Sequence, residues 1–131
     1  MSGNYILIVD DEPHIRAVLA RAFERAGYEV DVAHEGREAL EAIGSAHPIA
    51  VVTDFQMPLL DGLSLARALH EDETTRDIPV VLLTARGHLV TEESRANTSI
   101  KRVMAKPFGA RELIEVVRGL IEDLPADRGA A

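Results

Sequence analysis

Asp10, Asp11, Asp54, Thr84 and Lys106 all stand at the ends of short apolar runs. Tyr5-Ile-Leu-Ile-Val9 leads into Asp10-Asp11, and Ile49-Ala-Val-Val-Thr53 leads into Asp54. Val80-Val-Leu-Leu83 closes on Thr84, and Val103-Met-Ala105 closes on Lys106. If these runs are parallel strands, the five residues share the carboxyl edge of one sheet, where open α/β sheets bind ligands. Three carboxylates, a hydroxyl and an ammonium gathered there suit a divalent metal and a transferred phosphoryl group. Asp10 and Asp11 repel each other and Asp54, so one pKa rises unless a cation sits among them. Magnesium is the natural cation, because it prefers oxygen ligands, few protein carboxylates, and retained waters beside a phosphate. Taken alone, Asp10-Asp11-Glu12 could equally cap the following helix and favour its dipole. Asp54 is harder to explain by capping, because Phe55-Gln56-Met57-Pro58 reads as a loop. A carboxylate at that place can attack phosphorus to form an acyl phosphate. Thr84 and Lys106 can then hold phosphoryl oxygens opposite the metal. Singly, a strand-end threonine and a solvated lysine would account for these two residues. All five strand-end residues together point to a site.

The elements that must position them follow from hydrophobic period. Apolar runs alternate with amphipathic stretches along the whole chain, the βα pattern of a parallel sheet covered on both faces. Strands are expected over 5–10, 28–33, 49–54, 78–84 and 102–106. The second alternates Val30 and Val32 with Glu29 and Asp31, as an edge strand with one wetter face would. A helix from Pro13 to Ala26 carries Ile15, Val18, Leu19, Ala22, Phe23 and Ala26 at helical spacing, with Gly27 placed to end it. A short helix over 37–46 turns Ala39, Leu40 and Ile43 inward, and Asp61-Gly62 opens another that runs through about His70. The stretch 87–100 has the weakest pattern, with a thin helix near 91–96. A strong helix over 109–124 carries Leu113, Ile114, Val117, Leu120 and Ile121. The fold class is therefore α/β, a three-layer sandwich of five βα units with right-handed crossovers. Residues 1–124 are expected to form one domain, and 125–131 a flexible tail or the start of a linker.

Bulk properties narrow the function classes. The chain has 131 residues, 47% hydrophobic and 27% charged, as expected of one globular domain. A formal charge of −8 opposes nonspecific binding to nucleic acid or anionic lipid. The absence of cysteine removes disulfides, thiolate zinc sites and thiol catalysis, and suits a reducing cytoplasm. No basic region precedes an apolar stretch at the N-terminus, and no run of ~18 uncharged apolar residues occurs. Membrane partners are not expected. The histidines at 14, 34, 47, 70 and 88 lack ligand spacing and are expected to face solvent.

The chain resembles the receiver domains of two-component response regulators, the chemotaxis regulators among them. The resemblance rests on Ile6-Leu-Ile-Val-Asp-Asp-Glu-Pro13, Asp54-Phe-Gln-Met-Pro58 with Asp61-Gly62, Thr84-Ala85, and Lys106-Pro107-Phe108. The separations, 30 residues from Asp54 to Thr84 and 22 more to Lys106, are typical of that family. The resemblance implies a flavodoxin-like sheet in order 2-1-3-4-5. It implies that Asp54 accepts a phosphoryl group from a histidine kinase or histidine phosphotransfer protein. Mg2+ would be held by Asp11, Asp54 and the Gln56 backbone carbonyl, with Asp10 acting mainly through water. Lys106 would contact the phosphoryl group and Thr84 would move toward it, remodelling the face used by a downstream protein partner. Lys106-Pro107 would be cis, and Gln56 and Arg86 would flank the acyl phosphate and tune its lifetime. Ile15 with Pro107-Phe108 would contribute to kinase docking. Such a domain catalyses only its own aspartyl phosphorylation and dephosphorylation.

Two places depart from the family pattern. Val103 stands where the family usually has Tyr or Phe, and Ser99-Ile100 replaces a Gly-Ala turn, with Lys101-Arg102 following. Both a rewired output surface and drift onto a β-branched strand residue account for Val103. The domain could signal alone or form the receiver part of a longer regulator with an output domain. An aspartyl phosphatase of the haloacid-dehalogenase type would need a second Asp two residues after the nucleophile, where Gln56 stands. The presence of all five site residues argues against a scaffold that has lost phosphorylation.

Overall fold

In the computed structural model, residues 5–86 and 90–123 are described. Strands β1 (Tyr5–Val9), β2 (Glu29–Ala33), β3 (Ala50–Asp54), β4 (Val80–Thr84) and β5 (Ile100–Ala105) alternate with five helices. These are α1 (Pro13–Arg25), α2 (Gly36–Ser45), α3 (Gly62–Glu71), α4 (Glu92–Arg95) and α5 (Ala110–Glu122). All strand pairs are parallel, in the order β2-β1-β3-β4-β5. The expected flavodoxin-like sandwich is what the chain forms.

Side-chain alternation along the strands explains the layers. Ile6, Ile8, Val52, Val81 and Leu83 face one way and meet Leu19 and Phe23 of α1 and Leu113 and Val117 of α5. Tyr5, Leu7, Val9, Val51, Val80 and Leu82 face the other way and meet Ala39 and Ile43 of α2 and Leu65 and Leu69 of α3. Because both faces are covered, β1, β3 and β4 are buried at every residue, as their unbroken apolar runs require. Burying a side chain such as Phe23, which also packs edge-to-face on Tyr28, contributes roughly 2–3 kcal/mol. Helix ends are fixed locally. Pro13 starts α1 and Gly27, at φ 101, ends its turn. Glu35 and Asp61 side chains accept from the Glu38 and Ser64 amides at the starts of α2 and α3.

Four sequence expectations need correction. The last strand starts at Ile100 rather than 102, because a bulge at Val80/Val81 lets β5 take one extra residue. Lys101 and Arg102 are consequently both exposed, which strict alternation would forbid. Helix α4 is a four-residue turn with a Thr91–Ser94 capping box and no buried residue, shorter than expected. Val18 lies on the expected apolar stripe of α1 yet is 47% exposed, because the stripe is wider than the strip the sheet and α5 cover. In β2 the wet face is mixed: Val32 is exposed and Asp31 half-buried, while Val30 packs inward. The expected tail over 125–131, the N-terminal Met1-Ser-Gly-Asn4 and His88 lie outside the described residues. His14, His34 and His47 are exposed and His70 is half-buried.

Candidate functional site

β1 and β3 are neighbours, and their successors α1 and α3 lie on opposite faces of the sheet, so a crevice opens at their carboxyl ends. Asp10 follows β1 and Asp54 ends β3. One carboxylate oxygen from each of Asp10, Asp11 and Asp54 lies within 4.8 Å of the others. Asp10 is 1% exposed and Asp54 8%, whereas Asp11 is exposed. A cleft of about 390 Å³ lined by Asp11, Phe55, Gln56, Met57, Pro58 and Asp61 opens beside them. Thr84 ends β4 at 3% exposure, and Lys106 directly follows β5. Thus the fold brings the strand-end residues to one sheet edge.

Lys106 Nζ donates to Asp54 Oδ1 at 2.8 Å, a contact between residues 52 apart in sequence. Burial pulls the Lys106 ammonium down, but the Asp54 bond and the charges of Asp54, Asp10 and Glu12 outweigh it and hold its pKa above the ordinary value. Thr84 Oγ1 accepts from the Arg86 amide at 3.0 Å. Lys106-Pro107 is cis, as expected. Arg86 and Gln56 are exposed beside the site.

Asp10 is the most constrained member. Its amide donates to the Ala33 carbonyl at 3.2 Å, and its Oδ1 accepts from the Glu12 amide at 2.9 Å. Its Oδ2 is buried with no hydrogen-bond partner. Burial is the main cause that pushes its carboxyl above the usual range. The Glu12 bond pulls it back, and the charge of Asp54 pushes it further up. A buried carboxylate with an unpartnered oxygen, grouped with two further carboxylates, is a donor set that fits a hard divalent cation.

Two residues were not singled out as site residues in sequence. Arg16 Nη1 donates to the Asp10 main-chain carbonyl at 2.6 Å. It is one of three arginines on α1, with Arg21 and Arg25, and no spacing signal separates it from them. Gly62 backs Asp54: a Cβ built there would lie 2.4 Å from the Asp54 carbonyl oxygen and 2.7 Å from Leu82 Cδ1. In sequence Asp61-Gly62 was legible as a helix start and as part of the family motif, but not as the backing of Asp54.

Comparisons with known proteins agree with this geometry. Residues 6–118 match the response regulator receiver domain family. The response regulator MprA of Mycolicibacterium vanbaalenii is 39% identical over 125 residues, which are 95% of this chain and 53% of that protein. The chain thus spans about half the length of the curated relatives it matches. The response regulator TrrA of Thermotoga maritima, solved in complex with Mg(2+)-BeF, superposes at a TM-score of 0.80 with 35% identity, covering 89% of this chain and 98% of that one. The receiver domain of sensor histidine kinase PA1611 from Pseudomonas aeruginosa, with a magnesium ion in its active-site cleft, superposes at 0.82 with 28% identity, covering 93% and 100%.

Proposed function

The chain belongs to the response regulator receiver domain family of two-component signalling, and from that premise we propose that Asp54 accepts a phosphoryl group from the phosphohistidine of a histidine kinase or histidine phosphotransfer protein. The observation that carries this reading is the polarity around Asp54: an ammonium at 2.8 Å on one side, and an acidic cluster with an unpartnered buried oxygen on the other. A carboxylate oxygen of Asp54 attacks phosphorus, the P–N bond to the donor imidazole breaks, and its electron pair returns to nitrogen. Lys106 stays within reach of the charge that develops on the phosphoryl oxygens. The Thr84 hydroxyl can turn from the Arg86 amide toward the new phosphoryl group. Asp10, Asp11, Asp54 and the Gln56 carbonyl would hold Mg2+, which supplies positive charge against the transferring oxygens. The magnesium bound by two of the similar receiver domains supports that assignment.

Incubation with magnesium and acetyl phosphate should add the mass of one phosphoryl group, and Asp54→Asn should abolish the gain. No gain, or a gain that survives the substitution, would sink the reading. A second reading, that this domain is the receiver part of a longer regulator with an output domain, is favoured by the half-length match to its relatives. The length of the native reading frame decides it. Among the described residues no helix is long and apolar enough to cross a membrane. We place the domain in the cytoplasm, where its cysteine-free composition fits.

A further inference from the structure

Resting on the metal site proposed above, we infer that Arg16 is a positioning residue for magnesium, acting through the main chain between Asp10 and Asp11. Three of the four polar atoms of Asp10 are committed: its amide to Ala33, its Oδ1 to the Glu12 amide, and its carbonyl to Arg16 Nη1 at 2.6 Å. The fourth, Oδ2, is left buried without a partner, on a residue whose carboxylate belongs to the acidic cluster. Asp11 is different. It is exposed, and among the described residues its carboxylate takes part in no hydrogen bond or ion pair. Its direction is therefore inherited from the backbone. A peptide unit is planar, so fixing the Asp10 carbonyl fixes the plane that carries the Asp11 nitrogen and Cα. A guanidinium makes a charge-assisted bond to that carbonyl, and its own base is fixed because the Arg16 amide donates to the Glu12 carbonyl at 3.1 Å. Arg16 thereby spans the loop between its Glu12 and Asp10 carbonyl contacts and holds Asp10 and Asp11 in one relative orientation.

This role predicts a sign opposite to that of simple charge. By charge alone, removing a cation bonded to the Asp10 main chain should tighten, if anything, the binding of Mg2+. Removing a clamp that aims two of the carboxylates should weaken it, by about tenfold at the lower end of what outer-shell partners of metal ligands cost. Magnesium chloride titration, followed by amide shifts of residues 10–12 and 54–56, should give a weaker affinity for Arg16→Met, which retains the aliphatic stem. Arg16→Lys, which keeps the charge and one donor, should fall between the two proteins, and it carries the test if Arg16→Met does not fold. In acetyl phosphate labelling, the magnesium concentration for half-maximal rate should rise for Arg16→Met while the rate at saturating magnesium stays near that of the unaltered protein. Unchanged or tighter affinity in the folded variants overturns the inference, as does a fall in maximal rate at unchanged half-saturation. Failure of the unaltered protein to bind magnesium would instead overturn the proposed site itself.

Discussion

Asp10→Asn removes one of three negative charges while keeping the shape and the Oδ1 acceptor that the Glu12 amide uses. Two unit charges no more than 4.8 Å apart repel by at least roughly 3 kcal/mol at an effective dielectric of about 20. Asp10 faces two such charges, but Lys106 at 2.8 Å offsets much of the Asp54 share, and exposure of Asp11 lets water screen the other. The net relief in metal-free buffer at neutral pH should be about 1–2 kcal/mol, or roughly 3–10 °C in Tm for a domain of this size. The pH dependence carries its own sign. The folded pKa of Asp10 is raised, so its contribution favours folding fully below the unfolded value of about 4. That contribution is lost as pH rises through the folded value. The advantage of the variant should therefore be absent at acid pH and grow toward neutrality. Saturating magnesium should reverse the order, since a cation at a hundred times its Kd stabilises the unaltered protein by about 2.7 kcal/mol. The assay is urea denaturation in EDTA and in magnesium at several pH values. A variant less stable than the unaltered protein in EDTA at neutral pH would refute the reasoning.

Three further outcomes test the scaffold and its output. Gly62→Ala should cost about 2–3 kcal/mol in denaturation, and should slow labelling, because the added Cβ meets the Asp54 backbone oxygen, which cannot move without shifting Asp54. A change within experimental error would show that the contact is compliant. Tyr5→Phe should cost about 1–2 kcal/mol at neutral pH, since the hydroxyl donates to the Ala46 carbonyl at 2.5 Å. Burial, helped by the charge of Asp31, raises the Tyr5 pKa to about 12. The stability it contributes is thus full below about pH 10 and is lost as pH rises toward 12. Alkaline melts of Tyr5→Phe should be flatter over that window, and an identical slope would argue against the assignment. Val103→Tyr should extend the amide shifts caused by acetyl phosphate into β5 while leaving the labelling rate nearly unchanged, and the same shifts in both proteins would favour drift at that position.

Sequence alone determined the layers and the candidate site, for one physical reason: burial leaves a period. The doubly covered strands had to be largely apolar runs, so Asp10, Asp54 and Thr84 were visible as the polar residues at which those runs stop. Asp61-Gly62 and Gly27 were likewise legible, because capping and positive φ are local demands. Tertiary structure decided whatever depends on a partner distant in the chain. Periodicity tells which face is buried and not what lies across from it. The 2.8 Å contact of Lys106 with Asp54, the bulge that exposes both Lys101 and Arg102, and the exposure of Val18 on a stripe that reads as core all follow from register and packing between elements. Arg16 was hidden for another reason: its partner is only six residues away, but three arginines on one helix look alike in sequence, and only the path of the loop between β1 and α1 sets one of them on the Asp10 carbonyl.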